Sequence, residues 1–142
     1  LINLILNQLQ KPITMSNDKD GINVKIGIYS GLPNPEMLLT DNLASQLTEM
    51  LRSALGKVRA HPPAQPGLGE FYGFLIELPE DILRELILTG PVTVFSGVVS
   101  GLQKNKSTHW QDSSGIEAFL IRIAYKNGFG DLLKRLNVSE PG

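Results

Sequence analysis

The residues best suited to acid–base chemistry lie in one polar stretch, S-T-H-W-Q-D, at positions 107–112. His109 can act as a general acid or base near neutral pH, and Asp112 or Glu117 would be the carboxylate that orients its imidazole. Trp110 is the single tryptophan of the chain, and tryptophan often anchors a ligand or partner. The structural alternative is that Trp110 covers a sheet edge while Asp112 caps a helix.

A second candidate site is the turn S-G-L-P-N-P-E at positions 30–36. Pro33 fixes its own φ, and Pro35 restricts the preceding residue to an extended conformation, so the turn is rigid. It displays three polar side chains at fixed angles: Ser30, Asn34 and Glu36. Such a turn can hold a ligand, or it can only set the angle between a strand and the following helix. The sequence is consistent with both interpretations.

Other kinds of site find no support in the sequence. The chain has no cysteine, which excludes a thiolate metal site, a cysteine nucleophile and a disulfide scaffold. His61 and His109 are too far apart in sequence for any local metal-binding motif, and no phosphate-binding glycine loop or G-x-S-x-G motif is present. We therefore predict no metal and no cofactor.

The charge of the chain argues against nucleic acid as a partner. The formal net charge is −1, whereas binding to a polyanion requires concentrated Lys and Arg. The apolar run near the N-terminus is too short to span a bilayer. The predicted partner is therefore an unidentified small molecule or a protein, and the predicted location is the cytoplasm.

Periodicity predicts the elements that would position these residues. Alternating apolar residues over 24–28 predict a strand, and helical spacing predicts the two main helices over 41–55 and 115–127. The remaining predicted elements are strands over 71–78, 91–99 and 107–111, and short helices over 80–87 and 131–136. This order favours an α+β fold in which helices cover one face of a small mixed or antiparallel sheet of three or four strands.

The same patterns divide the chain into an N-terminal extension, one domain and a tail. Residues 1–22 are predicted to be a flexible or partly non-native extension, because Met15 opens a polar run that resembles a natural start. In this interpretation residues 1–14 are an upstream extension. The α+β domain is predicted to span 23–137, and residues 138–142 form a C-terminal tail.

Four stretches together resemble a known group of proteins. They are I-Y-S-G-L-P-N-P-E, L-G-E-F-Y-G-F, V-T-V-F-S-G-V-V and D-S-S-G-I-E-A-F-L-I-R-I-A, within about residues 24–126. They are similar to a small family of uncharacterised bacterial and fungal proteins with an S-G-x-P-N-P turn. Glu36 and Met37 stand where that family commonly carries an aromatic residue. The resemblance implies a shared fold and no particular activity.

These observations lead to one prediction and two alternatives. We predict a small soluble ligand- or protein-binding accessory domain without intrinsic catalysis, its surface formed by the 30–36 turn and a 101–112 loop. The predicted binding residues are Ser30, Asn34, Glu36, His109 and Trp110. One alternative is a small enzyme that uses His109, with Asp112 or Glu117, as general acid or base. The other is an interaction subunit that forms a homodimer through an edge strand.

Overall fold

The computed structural model describes residues 21–28 and 31–142. The predicted extension therefore falls almost wholly outside the described residues, and the first strand begins at Ile22, one residue before the predicted start of the domain. The elements are, in chain order, β1 (Ile22–Ile28), β2 (Glu36–Leu39), α1 (Asp41–Leu55), β3 (Phe71–Glu77), α2 (Glu80–Leu86), β4 (Val92–Phe95), β5 (Val98–Gln103), β6 (Lys106–Gln111), α3 (Ile116–Ala124), a π-helical turn (Tyr125–Phe129) and α4 (Gly130–Arg135).

The strands form one antiparallel sheet in the order β2-β1-β3-β4-β5-β6. The α+β class is confirmed, but the sheet has six strands where the sequence predicted three or four. The two further strands are β2 and β5, the latter because the run 91–99 is two strands joined by a tight turn. Ser96 and Gly97 both have positive φ, at 52° and 78°, as a two-residue type I′ hairpin turn requires.

The stretch 101–112 belongs to a second hairpin, in which β6 confirms the edge strand predicted over 107–111 and β5 takes the place of the loop predicted before it. β5 and β6 pair antiparallel from Val98 opposite Gln111 to Gln103 opposite Lys106. The connecting residues Lys104 and Asn105 have φ of 51° and 65°, so this turn has the same geometry as the first. The predicted loop is therefore mostly the β-hairpin at one edge of the sheet.

The core lies between one face of the sheet and the helices. Alternate strand residues such as Val24, Ile76 and Val94 are fully buried, and they pack with Leu47 and Leu51 of α1 and with Ile116 and Leu120 of α3. This alternation follows from the two-residue period of a strand, which sends neighbouring side chains to opposite faces. The other face, which we call the open face, carries no helix among the described elements.

Both main helices were predicted, and they differ from the prediction only at the end of α3. The regular helix stops at Ala124 and continues as a π-helical turn in which Gly128 has φ of 92°. The predicted tail is attached at its start, because the Tyr125 hydroxyl donates to the Val138 carbonyl at 2.6 Å and Val138 packs against the core. Within residues 21–28 and 31–142, no helix is long and apolar enough to cross a membrane.

Candidate functional site

Three polar side chains form a row on the open face. Thr93 lies opposite Ser100, and Ser100 lies opposite His109, on the neighbouring strands β4, β5 and β6. The Ser100 Oγ atom is 2.7 Å from Nδ1 of His109, in a partly buried position. The serine hydroxyl can donate to this nitrogen or accept from it, according to the imidazole tautomer. The partner of His109 is therefore a serine that the sequence did not single out.

The segment after α1 is attached to the outer edge of β6. Ala60 N–H donates to the His109 carbonyl at 2.9 Å, and Gln111 N–H donates to the Val58 carbonyl at 2.9 Å. Arg59 lies between them, with its guanidinium carbon 5.6 Å from the centre of the Trp110 ring. This short pairing covers part of the β6 edge and fixes the point from which the chain crosses the open face.

Residues 62–66, P-P-A-Q-P, make that crossing, and we call them the proline segment. The segment ends at a turn in which the Gly67 N–H donates to the Glu70 carboxylate at 2.6 Å, directly before β3. The chain thus passes from β6 at one edge to β3 in the middle of the sheet. Three prolines in five residues restrict φ, so the segment is stiff without hydrogen bonds of its own.

Two glycines place Tyr72 on the open face. A side chain at Gly27 would meet the Tyr72 ring, since a Cβ atom there would lie 2.7 Å from Cε2. Gly73 has φ of 95°, and its Cβ would overlap the Val94 carbonyl. The register of β1 against β3 shifts at this point. The irregularity turns Tyr72 toward the open face, where the ring lies over β1.

The 30–36 turn is connected to this tyrosine. Asn34 donates from Nδ2 to the Tyr72 hydroxyl at 3.2 Å and accepts from the Ile28 N–H at 3.3 Å through Oδ1. Asn34 is partly buried, so its amide ties the turn to β1 and β3. The Asn34 amide thus links the turn to the Tyr72 ring and is only partly exposed to solvent.

A cavity of about 300 Å³ lies between the proline segment and the open face. We call it the sheet cleft. Pro62, Pro63 and Pro66 border one side, and the sheet contributes Tyr72, Leu75 and Phe95 together with Thr93, Ser100 and His109. An apolar, aromatic lining with a few convergent polar groups is typical of small-molecule sites. The cleft therefore combines the polar row with an apolar chamber.

The two carboxylates predicted to orient His109 have other partners. Both carboxylate oxygens of Asp112 accept backbone N–H groups at the start of α3, from Ile116 at 2.6 Å and from Glu117 at 2.8 Å. Glu117 accepts from the N–H groups of Ser96 and Gly97 at 3.3 and 3.1 Å. Burial raises the pKa of the Glu117 carboxyl, and the nearby Asp112 adds to the rise. Both acids therefore fix the junction of α3 with the β4–β5 turn.

The remaining predicted binding residues are dispersed. Trp110 is 1% exposed and lies in the core, because neighbouring strand residues point to opposite faces and His109 occupies the open one. Glu36 is exposed on β2, where it accepts from the Asn23 amide at 2.9 Å. Ser30 lies outside the described residues. Of the predicted set, His109 alone among the described members borders the sheet cleft, and Asn34 reaches it through Tyr72.

The predicted surface of turn 30–36 and loop 101–112 does not form as one patch. The turn joins β1 to β2, and two strands, β3 and β4, separate β1 from β5. The cleft residues that the sequence did not indicate are Ser100, Thr93, Tyr72 and Phe95. The dipeptide Ser96-Gly97 was the available signal, since a two-residue turn there implies a new strand that carries Ser100.

The described part of the chain contains no group of three or more His, Asp or Glu side chains that could hold a metal ion. Comparison of the chain with known protein families, with curated proteins and with solved structures finds no match. The resemblance to the S-G-x-P-N-P family stays a prediction from the sequence.

Proposed function

We propose that this protein is a small binding domain, with an accessory rather than a catalytic role, whose ligand occupies the sheet cleft. The observation that carries the proposal is the cavity of about 300 Å³ between the proline segment and the open face. This volume lies at the lower end of the range for small-molecule sites, so the ligand is a small molecule rather than a protein segment. A cytoplasmic location is part of the proposal and rests on the cysteine-free sequence.

The shape of the cleft supports a preformed site. Its floor is strand backbone held by hydrogen bonds on both sides, and its cover is a segment stiffened by prolines and attached at both ends. A preformed site loses little conformational entropy when a ligand binds. The Phe71 ring supports the Phe95 wall, in an edge-to-face contact with centroids 6.2 Å apart.

Two serines on the open face offer a matched test. Ser100→Trp fills the sheet cleft, whereas Ser107→Trp places the same side chain on exposed β6, outside it. The protein is screened with aromatic fragments by ¹⁵N–¹H chemical-shift mapping. We expect saturable shifts at residues bordering the cleft, lost in Ser100→Trp and retained in Ser107→Trp. Fragments that bind elsewhere, or equal binding to both variants, would contradict the proposal. Thermal melts of both variants establish that they are folded.

A second candidate is an enzyme, favoured by the single observation that Ser100 Oγ lies 2.7 Å from His109 Nδ1. In that case His109 would take the proton as Ser100 attacks a carbonyl carbon. Asp112 and Glu117 do not orient the imidazole, which is why binding is the leading proposal. Intact-mass analysis after incubation with p-nitrophenyl acetate decides between them. Stable acetylation that Ser100→Ala abolishes would favour the enzyme.

Self-association through a sheet edge is a third candidate function. Pairing with residues 58–60 covers part of the β6 edge, which leaves β2 at the opposite end of the sheet as the simpler route to a dimer. Sedimentation velocity over a wide concentration range measures this directly. A dimer disrupted by Leu38→Pro, at an exposed position of β2, and by no substitution at the cleft, would favour self-association.

A further inference from the structure

Among the described residues, no permanently charged side chain borders the sheet cleft. None of the described side chains that border it belongs to Asp, Glu, Lys or Arg. A charged ligand group that entered would lose its hydration without gaining an opposite charge, which is costly in a partly buried site. The ligand is therefore expected to carry no formal charge on the portion that lies inside.

The charged groups that β1, β2 and β3 carry on the open face are mainly acidic. The Asn23 amide donates to Glu36 at 2.9 Å and to Glu77 at 2.8 Å. Lys25, which pairs with Leu75 of the cleft, lies 3.5 Å from the Glu77 carboxylate. Two carboxylates therefore face one ammonium on this side. Their field repels an anion over roughly 10 Å at moderate ionic strength.

The polar end of the cleft suits a hydroxyl group. The Ser100 hydroxyl rotates and the His109 imidazole has two tautomers, so the pair can present a donor together with an acceptor. Thr93 supplies a further hydroxyl from the neighbouring strand. A ligand hydroxyl both donates and accepts, and it can be matched by either arrangement of the pair. A carbonyl or ether oxygen can only accept.

The apolar part of the cleft suits a flat ring. Proline rings border one side, and the aromatic side chains of Tyr72 and Phe95 border the other. Aromatic groups make favourable stacked or edge-on contacts with such walls. The volume of about 300 Å³ limits the ligand to one or two rings.

We propose that the sheet cleft binds a small uncharged hydroxyaryl compound, a phenol in the simplest case. Its ring lies between the proline segment and Tyr72 with Phe95, and its hydroxyl bonds to the Ser100–His109 pair. This inference rests on the proposed binding function and names the ligand class for the same cleft.

A matched series of three ligands tests the class. p-Cresol, toluene and p-toluate share a methyl-substituted ring and differ in carrying a hydroxyl, nothing or a carboxylate. Affinities are measured by chemical-shift titration of the full chain. We expect p-cresol to bind about fivefold more tightly than toluene, because one hydrogen bond is worth about 1 kcal/mol. We expect p-toluate to bind more weakly than p-cresol.

Substitution of the two histidines separates binding in the cleft from a general effect of losing an imidazole. His109→Ala and Ser100→Ala should reduce p-cresol affinity to the level of toluene, whereas His61→Ala, at an exposed site outside the cleft, should leave it unchanged. Equal affinity for p-cresol and toluene, tighter binding of p-toluate, or an unchanged p-cresol affinity in His109→Ala would overturn the ligand class. Those outcomes would still leave the sheet cleft as a small-molecule binding site. Absence of saturable shifts with all three compounds also overturns the class, and the fragment screen then decides whether the binding function fails with it.

Discussion

Ser100 and His109 lie directly opposite each other on β5 and β6, and their side chains meet at 2.7 Å on the open face. The contact joins two roles. It links the edge strand to its neighbour, as cross-strand pairs do in sheets, and it forms the polar end of the sheet cleft. The backbone of His109 adds a third role, because its carbonyl accepts from Ala60 where the chain begins to cross the face.

We predict that the two side chains are energetically coupled. In a double-mutant cycle of Ser100→Ala and His109→Ala, the coupling in the free energy of unfolding should be about 1 kcal/mol, the net value of one hydrogen bond. Urea denaturation of the four proteins measures it. Additive effects of the two substitutions would mean that the hydrogen bond contributes nothing to stability.

The wall of the cleft depends on Gly73 more than on other glycines in the left-handed region. Gly73→Ala combines an unfavourable positive φ with overlap against the Val94 carbonyl. We expect it to lower the free energy of unfolding by about 3 kcal/mol. Gly69→Ala is the matched control, since Gly69 also has positive φ, at 79°, with open space around it. Gly69→Ala should lower the free energy of unfolding by about 1 kcal/mol. Equal losses of stability in the two variants would contradict the close approach of β3 and β4.

The bonds of Asn34 lead to a prediction about the turn. Asn34→Ala leaves the Ile28 N–H and the Tyr72 hydroxyl without this partner. The free energy of unfolding should fall by about 1–2 kcal/mol. Asn42→Ala, at an exposed position in the first turn of α1, should change it little. Full stability of Asn34→Ala in chemical denaturation would favour the alternative in which the turn serves display alone.

The spacing of apolar residues in the sequence predicted those helices and strands in which buried positions recur at a regular interval. The helix over 41–55 and the strand over 71–78 were predicted because Leu47, Leu51 and Ile76 mark one apolar face. The run 91–99 was not resolved into two strands, because its apolar residues are continuous across the turn. Ser100 therefore seemed to lie beyond a strand when it lies within one.

The cleft itself depends on contacts distant in sequence. Nothing local to residues 62–66 indicates that they cross the open face, since their path is set by Ala60 bonding to His109 and by the turn before β3. The two-residue period of a β-strand does imply that the side chains of His109 and Trp110 point to opposite faces of the sheet. Which side is the core depends on helix packing, and only the structure gives it.

Ile87 stores strain at the surface. It follows α2 with φ of 59° and ψ of 49°, a left-handed conformation that is costly for a β-branched side chain, and it is 58% exposed. Ile87→Asn should raise the free energy of unfolding by about 1 kcal/mol, because asparagine tolerates this conformation. Ile87→Val keeps the branched Cβ and should bring no gain. A loss of stability in Ile87→Asn, measured by urea denaturation, would indicate that the isoleucine makes a contact that outweighs the strain.

Glu117 makes stability depend on pH. Burial raises the pKa of its carboxyl above the ordinary value of 4.5, so the folded state holds this proton at a pH where the unfolded chain has released it. The contribution of Glu117 to stability is therefore greatest in acid and declines as the pH rises from below 4.5 through the raised pKa. Glu117→Gln removes this titration and keeps an acceptor for the Gly97 N–H.

We accordingly expect the stability of the wild type, relative to Glu117→Gln, to fall with increasing pH across that window. Urea denaturation of both proteins from pH 4 upward measures the difference, in which the contributions of groups that do not interact with Glu117 cancel. Glu140→Gln, at an exposed position near the C-terminus, controls for the loss of one negative charge. A difference that rises with pH would mean that the two N–H groups of the β4–β5 turn stabilise the carboxylate more than burial destabilises it.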